Sequence, residues 1–172
     1  MFLNYLKNFF TQKIVKKSLL NVKHIHANEY IKTVGIIFDE SYFQDREALV
    51  QELVKNNIKI SDVKVLVFKD KIKKNEIFDY PTFSNKDLSW TATFDKSEVK
   101  DFIAQKFDLL INYYDTEKSA LLLVSNQSKA SFKVGFSSID KKLNHFMITT
   151  NAENYKVFVE ELFKYLKILN KI

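Results

Sequence analysis

Cysteine is absent from the 172 residues. That excludes disulfides, thiolate nucleophiles and zinc–thiolate sites, and it agrees with a reducing compartment, here read as cytoplasmic. Glycine occurs only at Gly35 and Gly135, and proline only at Pro81. Two widely separated glycines cannot build a Gly-x-Gly-x-x-Gly or Gly-x-x-x-x-Gly-Lys phosphate cradle, so nucleotide binding of that kind is excluded. They also leave no flexible linker. No apolar run approaches the roughly 20 residues that span a bilayer. Lys7 and Lys13 interrupt the opening apolar stretch and no small-residue cleavage site follows, so a signal peptide is not expected. Acidic side chains are missing from the first 28 residues; the first is Glu29.

What those 28 residues contain is lysine and apolar side chains. Lys7, Lys13, Lys16, Lys17 and Lys23 contribute +5 of the formal +6 net charge, leaving +1 for the remaining 144 residues. Phe2, Leu3, Leu6, Phe9 and Phe10 recur at helical spacing and share one face, with Asn4, Lys7, Asn8 and Thr11 outside it. In an unbroken helix Lys13 and Lys17 fall near the phenylalanine face, where they would have to snorkel or meet a charged partner. We therefore expect two units: a basic amphipathic arm over residues 1–28 and one domain over residues 29–172.

A 46% hydrophobic fraction and sixteen phenylalanines argue for a packed core in that domain. Lys32 to Phe38, Val63 to Phe68, Leu109 to Tyr114 and Ser131 to Phe136 read as strands, with shorter ones at Trp90–Phe94 and Phe146–Thr149. Phe43–Asn57, Lys96–Lys106 capped by Ser97, Glu117–Ser128 and Ala152–Leu169 read as helices. Residues 72–85 are polar, contain Pro81 and read as loop. Strands alternating with helices imply an α/β fold, a three-layer Rossmann-like and mostly parallel sheet.

Phe107-Asp108-Leu109-Leu110-Ile111-Asn112-Tyr113-Tyr114, then Ser119-Ala120-Leu121-Leu122-Leu123, then Ser131-Phe132-Lys133-Val134-Gly135-Phe136, resembles the N-terminal half of heptosyltransferase-like GT-B glycosyltransferases. In that family an "FDLxI" strand, a helix and an "RxGF" strand follow in this order. Lys133 stands in the basic place before Gly135, and Asn112 replaces a frequent acidic residue. The resemblance implies one half of a two-domain enzyme whose other half holds the nucleotide-sugar. The whole chain is also similar to a family of short Bacteroidota proteins without an assigned activity.

Candidate chemistry is sparse. His24 and His26 would share one face of a strand, but no aspartate stands beside them, so they read as linker residues rather than metal ligands. Asp39 and Asp115 close predicted parallel strands, at the edge where open α/β sheets place ligands, with Ser41, Asn112 and Tyr114 alongside. Those carboxylates suit acid–base work or a cation; equally, they suit strand termination and helix capping. Ser41 and Ser119 lack a nucleophile-elbow pattern, and His145 is the only later histidine that a triad would have available. Lys69, Lys71, Lys73 and Lys74 form a second basic cluster, offset by Asp70 and Glu76. Trp90, Tyr113 and Tyr114 suit stacking on a base or burial in a core.

The expectation is a non-enzymatic accessory protein without a cofactor. Its arm would attach peripherally to an anionic membrane, the inner membrane of the cell, or to a protein assembly. Phe2, Leu3, Leu6, Phe9 and Phe10 would supply apolar contact and Lys7, Lys13, Lys16 and Lys17 attraction. RNA is the competing anionic partner, through backbone phosphates and not sequence-specific DNA readout. A degenerate or partner-completed glycosyltransferase half is the third reading.

Overall fold

The computed structural model describes residues 30–172 apart from Trp90, together with Phe9, Lys13, Ile14 and Lys17 of the arm. Ten main elements follow in order: β1 Val34–Asp39, α1 Arg46–Lys55, β2 Val63–Phe68, β3 Thr82–Phe83, α2 Ser97–Ala104, β4 Leu109–Tyr113, α3 Ser119–Gln127, β5 Phe132–Phe136, β6 Phe146–Ile148 and α4 Tyr155–Ile168. The strands form one six-stranded sheet in the order β3-β2-β1-β4-β5-β6, every neighbouring pair parallel. Strands buried on both faces carry unbroken apolar runs rather than alternation, as β1 (VGIIFD) and β4 (LLINY) do.

Helices cover both faces. On one, Tyr113 of β4 lies against Phe38 of β1 (ring centroids 5.6 Å), Phe136 of β5 (5.1 Å) and Phe158 of α4 (5.1 Å). Leu49 and Leu53 of α1 are fully buried there too. On the other, Phe102 of α2 meets Phe107 at 4.9 Å, and α3 is buried along almost its whole length. Neither glycine serves a turn. A Cβ on Gly35 would stand 2.7 Å from the buried Phe107 ring, and one on Gly135 would stand 2.6 Å from the Asn144 amide. Both positions require close approach to the sheet.

Four local expectations need correction. Residues 82–83, read as loop, form edge strand β3; two residues are too few to show a period. Of the strand expected over Trp90–Phe94, the described residues 91–94 form none: Leu88 and Phe94 make an isolated antiparallel bridge, and Ala92 turns the chain at φ 57°. Ser97 does not cap α2, since Lys96 holds the cap position and the Ser97 hydroxyl donates to Glu98. Helix α1 starts at Arg46, not Phe43, because the Asp45 carboxylate accepts from Ala48 N and caps it.

Candidate functional site

Strand order reverses between β1 and β4. In open parallel sheets that switch point leaves a crevice beyond the strand C-termini, the usual ligand position. Here β1 ends on Asp39, and the loop leaving β4 carries Asp115 and Lys118. The Lys118 side chain spans the crevice. Its ammonium lies 2.7 Å from Asp39 Oδ2 and 3.1 Å from Asp70 Oδ2, and it donates to Ser41 Oγ at 2.9 Å. The ammonium thus donates to Ser41 and Asp70, and Asp39 completes the cluster as an ion pair. The rings of Tyr42 and Phe68 each stand 4.9 Å from the same nitrogen. Asp39 Oδ1 accepts from Ser41 N at 3.0 Å, folding the chain tightly after β1.

This arrangement clasps the loops that leave β1, β2 and β4. Ser41 accepts from an ammonium held by two carboxylates, so Lys118 is not placed to withdraw a proton from it. A second charge lattice flanks the clasp. Glu40 bridges Arg46 and Lys69, each at 3.3 Å, and Lys69 reaches Glu76 at 2.9 Å. The hydrogen bond to Glu76 raises the Lys69 pKa and lowers that of Glu76.

The other crevice residues lie elsewhere. Asn112 and Tyr114 are buried under α3 in a polar chain: Tyr114 Oη to Ser125 Oγ 2.6 Å, Ser125 Oγ donating to Asn112 Oδ1 at 2.8 Å, and Asn112 Nδ2 donating to Asn144 Oδ1 at 2.7 Å. Lys133 Nζ donates to Ser125 O at 2.7 Å, and burial pushes its pKa down to about 8. Burial raises the phenol pKa of both Tyr113 and Tyr114. Asp115 Oδ2 accepts from Ala152 N (3.1 Å), while Tyr113 Oη donates to Ala152 O (2.6 Å), which pins the loop before α4. The five residues named from the sequence therefore fall into three separate groups: Asp39 with Ser41, Asn112 with Tyr114, and Asp115.

Sequence reading passed over Lys118, Ser125 and Asp108. Asp108 accepts from Lys32 N, Thr33 N and Thr33 Oγ1 at 2.8–3.0 Å, fastening the entry of β1 to that of β4. Burial opposes its ionisation, but the Thr33 and Lys32 amides outweigh that and hold its pKa low. The aspartate of the "FD" pair is thus structural. His145 Nδ1 accepts from Lys133 N at 3.0 Å, and its ring stacks on Phe132. No group of three metal-ligating side chains gathers among the described residues; His24 and His26 lie outside them.

Of the docking residues, Phe9, Lys13 and Lys17 are described: all three are helical and exposed, as is Ile14. Phe2, Leu3, Leu6, Lys7, Phe10 and Lys16 lie outside the described residues, as does Trp90. No helix among the described residues is long and apolar enough to cross a membrane.

A parallel six-stranded sheet with a switch point and helices on both faces defines a Rossmann-like α/β protein. The chain belongs to DUF6913, a family of unknown function, whose match covers residues 7–169. The match takes in most of the basic arm as well as the sheet domain. No curated protein and no solved structure matches the chain.

Proposed function

We propose that this protein is a peripheral membrane-docking α/β protein that uses its N-terminal arm to bind anionic lipid. The observation that carries the reading is the exposure of Phe9 (55%) and Ile14 (45%) on helical residues interspersed with exposed Lys13 and Lys17. Exposed apolar surface interspersed with cations matches the interfacial region of an anionic bilayer, where each lysine contributes about 1 kcal/mol and the apolar groups add to it. Phosphate attraction alone, as in RNA binding, gives no role to Phe9 and Ile14. The clasped switch point supports a non-catalytic reading, because Lys118 fills the ligand crevice with the protein's own charges.

The test is co-sedimentation of the full chain with phosphatidylcholine vesicles, with and without phosphatidylserine. Binding should need the anionic lipid and weaken with salt, and Phe9→Asp should reduce it severalfold. Absence of binding to phosphatidylserine vesicles refutes the reading. Salt-sensitive RNA binding without vesicle binding would assign the arm to nucleic acid instead.

A further inference from the structure

The body of the chain sums to nearly zero charge, yet its two sheet edges differ. All strands run one way, so the segments entering strands share an edge with the C-termini of the helices that precede them. Lys32 precedes β1, Lys59 precedes β2, Lys106 precedes β4, Lys129 precedes β5, and Lys167 lies in the last turn of α4. These five lysines, far apart in the sequence, are all exposed on one edge. None of them takes part in an ion pair among the described residues. Of the carboxylates in the same segments, Asp108 is turned onto the amides of Lys32 and Thr33, and Asp62 stands just before β2.

Helix C-termini carry partial negative charge and favour lysine, which accounts for part of this. It does not account for the apolar side chains on the same edge. Tyr30 is 64% exposed, Ile60 60%, Ile168 64% and Leu169 47%. The domain's first described residues lie here as well, since Ile31 N–H donates to Lys171 O at 2.8 Å, beside the end of α4. The opposite edge carries the clasped carboxylates Asp39, Glu40, Asp70 and Glu76.

We infer that this strand-entry edge is a second lipid-contacting face, at the edge where the chain enters the domain. Lys32, Lys59, Lys106, Lys129 and Lys167 face anionic headgroups, while Ile60 and Ile168 enter the interface. The inference rests on the membrane reading of the arm and extends it: the domain is held in one orientation, with the strand-entry edge toward the bilayer. The occupant is an anionic lipid surface because unpaired ammonium groups and isolated apolar side chains alternate there; a dry protein interface would deplete its core of lysine.

The experiment compares three full-length variants on phosphatidylcholine–phosphatidylserine vesicles. One carries Lys59→Gln, Lys106→Gln and Lys129→Gln. A second carries Lys71→Gln, Lys73→Gln and Lys74→Gln, three exposed lysines beyond β2 on the other edge. The third carries Lys7→Gln, Lys13→Gln, Lys16→Gln and Lys17→Gln in the arm. At roughly fivefold per lysine, the first should lose on the order of 100-fold in affinity and the second no more than about twofold. Thermal unfolding checks that each variant folds. If the parent binds, the arm variant fails and the first variant binds like the parent, the edge inference is overturned while the arm reading stands. Equal losses in the first and second variants also overturn it, since the attraction would then lack direction. A parent that ignores these vesicles overturns both.

Discussion

Lys133 offers a stability test that needs no ligand. Its ammonium is buried with no carboxylate paired to it among the described residues, and it donates to the Ser125 carbonyl in the last turn of α3. Burial brings its pKa from the ordinary 10.5 down to about 8. The unfolded chain therefore binds more protons than the folded one between those values, and stability rises with pH across that window. The full effect is roughly 3 kcal/mol, of which about 2 kcal/mol falls between pH 7.5 and 9.5. Lys133→Met keeps the side-chain length and removes the titration. At pH 7 it should leave stability within about 2 kcal/mol of the parent. The exposed cost of an unpartnered Ser125 carbonyl, about 1–3 kcal/mol, opposes the relief from burying no charge. Urea unfolding of both proteins, from pH 7 to pH 9.5, reads the difference. The raised phenols of Tyr113 and Tyr114 act oppositely and only higher up: their stabilisation is complete below pH 10 and lost above it, as the unfolded phenols ionise. Parallel pH profiles for parent and Lys133→Met would refute the argument.

Lys118→Met should destabilise the fold by about 3–5 kcal/mol, because it leaves Asp39 buried without a counter-charge. Asp39→Asn combined with Lys118→Met should recover part of that loss in chemical denaturation. Asp108→Ala should cost about 2 kcal/mol through the orphaned amides of Lys32 and Thr33. In the parent, the contribution of Asp108 should be present above its ordinary pKa of 3.8 and disappear as pH falls through its lowered folded value, a trend that acid titration of the alanine variant should lack. Gly35→Ala should cost about 1–3 kcal/mol by driving a methyl into the Phe107 ring, while an alanine at an exposed loop position such as Lys71 changes little; thermal unfolding distinguishes the two.

The alternation of apolar strands with amphipathic helices was enough to reach an α/β sheet covered on both faces, because buried parallel strands write themselves as runs such as VKVLVF and LLINY. Short or irregular pieces were not legible. Two-residue β3 has no period, and the turn at Ala92 depends on a left-handed backbone angle that alanine does not advertise. The crevice residues were placed at the right edge by the end-of-strand position of Asp39 and Asp115. Their partners were not, since Lys118 lies 79 residues from Asp39 and only strand order brings them together. Likewise Asn112 reads as a strand-end polar group, and only the packing of α3 over β4 makes it a link between Ser125 and Asn144.

From the amino acids alone came the charge of the arm, the impossibility of a glycine phosphate loop, and the class of sheet, all properties of local composition and period. Tertiary structure alone distributed the charge of the body. Parallel strands send every helix C-terminus to one edge, so lysines with no relation in the sequence become neighbours there. Carboxylates gather at the other edge, where Lys118, Lys69 and Arg46 hold them. A net charge near zero conceals that separation, because a sum over residues contains no positions.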